Sequence, residues 1–108
     1  MKKYQNPFWA LDGATELLQA RGANPFEDEW ADHVLSLTTS FRYDSEFNCY
    51  HTVTLHLDLP GFRMLMERLG ESQVEKVPHD ERYVRYVCYL CEDLEIMALG
   101  HRVESVCE

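Results

Sequence analysis

With 108 residues the chain is long enough for one hydrophobic core and too short for two, so residues 1–108 read as a single domain. Hydrophobic residues make up 45% of it, which excludes a disordered tail, and no apolar run approaches the about 20 residues that a membrane helix needs. The net charge of −9 disfavours DNA or RNA as a direct partner, because such binding neutralises phosphates with Lys and Arg. The same charge suits a partner protein with a basic surface.

The first residues, Met1 to Asn6, lack the apolar core of a signal peptide, so a cytoplasmic location with reduced thiols is expected. Asn6-Pro7-Phe8 then opens a helix, with Asn as cap and Pro pre-set for the first turn. Phe8, Leu11, Ala14 and Leu18 recur at helical spacing, and Gly22 supplies the stop. The punctuation returns at Asn24-Pro25-Phe26. Glu27 follows Asn24 by three, as in a capping box, and Phe26 and Trp30 are spaced to share one face of a brief second helix ending near Asp32 or His33. The tripeptide Asn-Pro-Phe resembles the ligand motif of eukaryotic EH-domain adaptors, but both copies are accounted for as helix starts.

The period then changes to two. Leu35, Leu37, Thr39, Phe41 and Tyr43 alternate with Ser36, Thr38, Ser40 and Arg42. Beyond the polar stretch 44–48, His51, Val53, Leu55, Leu57 and Leu59 alternate with Tyr50, Thr52, Thr54, His56 and Asp58. This predicts a β-hairpin with one apolar face. Pro60-Gly61 ends it. Phe62, Leu65, Met66 and Leu69 form the stripe of a short helix closed by Gly70, and residues 71–79 read as a loop. From Tyr83 onward, counting at about 100° per residue gathers Tyr83, Val84, Tyr86, Val87, Leu90, Cys91, Leu94, Met97 and Ala98 into one uncharged arc. That predicts a long helix capped by Asp80 and stopped by Gly100, with Leu90 and Leu94 in the core. Val103 and Val106 are candidates for one more short strand. The predicted fold is α+β in the order α-α-β-β-α-α, a small antiparallel hairpin or sheet covered on one face by helices.

Chemistry-bearing motifs are few. Cys88-x-x-Cys91 has the spacing of zinc and redox sites, and His101 and Cys107 would be needed to complete four ligands. Without turn residues between the thiols or a second pair, the cysteines read as structural. Neither a metal nor a cofactor is expected. His51 falls on the apolar strand face, His56 on the polar one beside Thr52, Thr54 and Asp58, and His33, His79 and His101 at element ends. No P-loop, nucleophile elbow or glycine-rich dinucleotide motif occurs, so an enzyme is not expected.

The acidic-aromatic segment Glu27, Asp28, Glu29, Trp30 and Asp32 is the candidate partner-binding site, an aromatic anchor inside a carboxylate rim. Together these features predict a non-enzymatic protein that binds a basic partner protein as an inhibitor or chaperone. By analogy of size and charge alone, toxin-immunity and phage anti-defence (anti-CRISPR) proteins work in this way. The alternatives are a DNA mimic, whose carboxylates would imitate phosphates, and a small zinc- or thiol-dependent protein using Cys88 and Cys91.

Overall fold

The computed structural model describes residues 6–43, 45–46, 49–71 and 73–101. Along the chain run α1 (Pro7–Ala20), a 3-10 turn (Glu29–His33), β1 (Val34–Tyr43), β2 (Cys49–Leu57), α2 (Leu59–Leu69), β3 (Glu75–Pro78), β4 (Tyr83–Cys91) and β5 (Leu94–His101). The five strands form one mixed sheet in the order β1-β2-β5-β4-β3. Three of its pairings are antiparallel; β2 and β5, the central pair, run parallel. This arrangement is an α+β fold with two α-helices. It differs from the predicted order α-α-β-β-α-α: the second predicted helix is a turn followed by the 3-10 turn, the sheet is mixed and five-stranded and not a small antiparallel one, and the predicted last helix is replaced by strands. No helix among the described residues is long and apolar enough to cross a membrane.

Both helices start and stop where their capping residues dictate. Trp9 N–H donates to Asn6 Oδ1 at 3.0 Å, and the chain leaves α1 through Gly22 at φ +83°. Gly61 N–H donates to Asp58 Oδ1 at 2.8 Å, and Gly70 ends α2 in the left-handed conformation. The α2 stripe lies as predicted, with Phe62, Leu65, Met66 and Leu69 all buried. The α1 stripe is rotated. Ala10, Ala14 and Leu18 face the sheet, while Phe8 is 79% exposed. Two alanines at the contact let α1 come close to β2, and the ring of Phe8 falls outside that contact.

The largest correction concerns residues 80–101, which form the β4–β5 hairpin instead of a helix. Glu92 and Asp93 make the turn, and Cys88 pairs with Ile96, Tyr86 with Ala98 and Val84 with Gly100. Asp80 does cap, but as a turn: Oδ1 accepts from Arg82 and Tyr83 N–H and leads the chain into β4. Gly100, predicted to be a helix stop, lies under a ring; a Cβ there would sit 2.9 Å from Tyr86 Cε2. Within the predicted loop, Glu75–Pro78 pair with β4 as β3. Val103 and Val106 lie outside the described residues.

The core sits between the helices and one face of the sheet. Val53, Leu55 and Leu57 of β2 and Leu94, Ile96 and Ala98 of β5 are its floor. α1 lies chiefly over β2 and α2 over β5. Leu94 is buried, and Leu90 packs against the core while remaining partly exposed. On the other face Arg85 bonds Glu95 across the hairpin, and Tyr89 reaches the same carboxylate, which raises its phenol pKa.

Candidate acidic groove

The segment singled out in the sequence forms one wall of a groove of about 570 Å³. Glu27, Asp28, Glu29 and Trp30 line it on one side, and Met64, Glu67 and Arg68 of α2 on the other. Asp32 is exposed but outside the lining. Sequence reasoning missed the α2 wall. Glu67 and Arg68 lie on the polar side of the α2 stripe, but nothing local indicates which segment faces them.

Asp28 organises this wall. Its Oδ2 accepts from Asn24 N–H at 2.7 Å and from Trp30 Nε1 at 3.3 Å, and its Oδ1 accepts from Arg68 Nη2 at 3.1 Å. Arg68 Nε also donates to the Gly22 carbonyl at 2.9 Å, tying α2 to the end of α1. Asn24 Oδ1 accepts from Phe26 N–H. Asn24-Pro25-Phe26 is therefore a side-chain-stabilised turn and not the predicted helix start: no capping box forms with Glu27, and the 3-10 turn begins only at Glu29. With that loop pinned from both ends, the two predicted partners on one helix face part. Trp30 is 2% exposed and belongs to the core, whereas Phe26 is 77% exposed. Trp30 is thus the floor of the groove, and the projecting ring is Phe26. Glu27 and Glu29 beside it are exposed.

Four carboxylates against one guanidinium give the groove a negative field. Arg68 is spent on Asp28, so the field arises from Glu27, Glu29 and Glu67. No acid–base or nucleophilic pair converges in the groove.

The remaining candidates are dispersed. Cys88 is buried, and burial pushes its thiol pKa up. Cys91 lines a separate cavity of about 200 Å³ with Ala10, Gly13, Ala14, Leu17, Asp93 and Leu94. Both lie on β4 and not on a helix; a register shift between Tyr89 and Cys91 pairs Cys88 with Ile96 and Cys91 with Leu94, so both meet the core side as free thiols. Cys107 lies outside the described residues, and His101 stacks on Tyr83 at 4.8 Å. Among the described residues no three His, Cys, Asp or Glu side chains cluster as metal ligands do. His51 packs edge-on against Phe41, and His56 is half-buried on the opposite face. His33, expected only to end an element, lies with Nδ1 at 3.0 Å from both Asp58 oxygens. It holds the 3-10 turn to the start of α2. The Gly61 N–H bond and the His33 contact keep the Asp58 carboxyl below its ordinary pKa.

No protein-family model, curated protein or solved structure matches the chain.

Proposed function

We propose that this chain is a non-catalytic binding protein that takes a Lys- or Arg-bearing segment of a partner protein into the groove between the 3-10 turn and α2, and thereby inhibits or chaperones that partner. The observation that carries the reading is a groove lined by Glu27, Glu29 and Glu67 over the buried Trp30, with the exposed ring of Phe26 next to Glu27 in the chain and outside the lining itself. An exposed ring on a pre-ordered loop loses little entropy on binding, and surrounding carboxylates steer a cationic segment toward it. A DNA-like array has less support, because Arg68 interrupts the acids and Asp28 is already engaged.

The test places a photo-crosslinking residue at Phe26 and compares capture by the wild-type chain with capture by a Glu27→Lys, Glu29→Lys double variant. A crosslinked partner with a basic contact segment, lost in the double variant at equal folded concentration, is the expected result. Identical crosslinking by both proteins would locate the binding surface elsewhere.

A further inference from the structure

We infer that β1 is a self-association edge, through which two copies of this chain pair antiparallel about a two-fold axis at Thr39. Among the described residues the sheet has two free edges, and they are built in opposite ways. β3 has four residues, among them Glu75, Lys76 and Pro78, and such charge, proline and shortness are how sheets block further pairing. β1 has ten residues with Arg42 as its one charge and no proline. Leu37, Thr39, Phe41 and Tyr43 pair with Leu55, Val53, His51 and Cys49, so they point to the helix-bearing face. The helices lie over β2 and β5 and leave this row uncovered. Leu35 is 61% exposed, Leu37 51%, Phe41 51% and Tyr43 61%.

A second copy fits this row because the row reads alike in both directions from Thr39. Antiparallel pairing centred there sets Leu37 against the other copy's Phe41 and Thr39 against Thr39, while Leu35, at the register irregularity between Val34 and Ser36, lies at the end of the regular ladder. Aliphatic side chains then meet aromatic ones along one face, as favourable cross-strand pairs do. On the opposite face Arg42 meets Ser36 and Thr38 meets Ser40, so no like charges oppose each other. With each copy at −9, β1 is where two copies can approach with least repulsion.

The area is adequate for a weak dimer. At about 100 Å² of exposed surface for each of the four large side chains, two copies offer at most about 800 Å², of which edge pairing covers a part. With the paired backbone the total stays below the about 1,000 Å² at which specific interfaces begin, the range of weak contacts. A concentration-dependent dimer is therefore expected.

Sedimentation of the full chain from micromolar to millimolar concentration should show its mass rising toward twice the monomer's. Amide exchange of β1 should slow over the same range while that of β3 does not. Leu37→Lys and Phe41→Glu should each be monomeric alone, with circular dichroism and thermal unfolding in dilute solution confirming that they fold. Mixed, they should re-form a dimer, because the Thr39-centred register sets one new charge against the other. A chain monomeric at every concentration, or a dimer whose β1 exchange is unchanged, overturns the inference. Variants that still dimerise alone overturn it as well, and a mixture that stays monomeric overturns the register.

Discussion

β5 and β1 carry the same kind of alternating apolar pattern and meet opposite conditions. In β5, Leu94, Ile96 and Ala98 are at most 1% exposed, with β2 on one side, β4 on the other and α2 above. In β1, Leu37, Phe41 and Tyr43 point to the same side of the sheet, each at least half exposed. Alternation sets which face a side chain takes. Depth is set by the strand's place in the sheet order, and β1 is at the edge, where α1 touches it only in part.

The same change made in both strands should have very different effects. Leu94→Ala removes a fully enclosed side chain and leaves a cavity, costing ~2–5 kcal/mol. Leu37→Ala, measured in dilute solution, should stay within ~0.5 kcal/mol of wild type, as surface substitutions do. Denaturant titration of both variants checks it; equal losses would mean that the β1 row is covered within a single chain.

The same difference explains what could be read from the sequence. Asn6-Pro7, Gly22, Pro60 and Gly70 act locally through capping and turn chemistry, and they bounded both α-helices well. Residues 80–101 failed because one helical count ran through two strands and the turn between them. Glu92 and Asp93 lack the glycine that advertises a tight hairpin, and the turn resets the phase so that charges fall by chance on one helical arc. The strand-forming run Tyr83 to Leu90 was the truer signal, since pairing on both sides rewards β-branched and aromatic residues. Within the groove, Glu27 to Trp30 could be named because they are contiguous. Arg68 could not, because it reaches Asp28 across forty residues of chain.

A second prediction concerns the joint between the 3-10 turn and α2. A Cβ at Gly61 would lie 2.2 Å from His33 Cβ, so Gly61→Ala must push the turn and α2 apart. Overpacking of this kind should cost ~1–3 kcal/mol. An unchanged denaturation midpoint would show that this joint yields freely and that the interior extends less far than β5 suggests.

A smaller effect is expected at Asp58 in the same joint. Asp58→Ala removes the α2 cap and should cost ~1 kcal/mol near neutral pH. Because the folded-state pKa is lowered, Asp58's contribution is fully present above the unfolded value near 3.8 and is lost as pH falls through the lower folded value. Wild-type stability should therefore fall more steeply than the variant's below about pH 4. Parallel acid limbs would mean that the carboxylate bond to Gly61 adds nothing.

The smallest effect is expected in the groove, where the side chains proposed to meet a partner should be nearly silent in folding. Asp28 is excluded from this test because it bonds Asn24, Trp30 and Arg68, and its loss would disturb the loop directly. Glu27→Lys with Glu29→Lys changes two exposed positions instead. Losing a carboxylate in the first 3-10 turn costs a few tenths of a kcal/mol, about 0.3. Relieving repulsion in a chain at −9 acts in the other direction. The two should cancel to within ~0.5 kcal/mol at physiological salt, where the screening length is about 8 Å. At about 0.01 M salt that length grows to about 30 Å, and the relief should make the double variant slightly the more stable of the two. Urea titration at both ionic strengths measures this crossing. A loss above about 1 kcal/mol at either salt would make these carboxylates part of the fold's own support, and the groove would lose its claim to a partner.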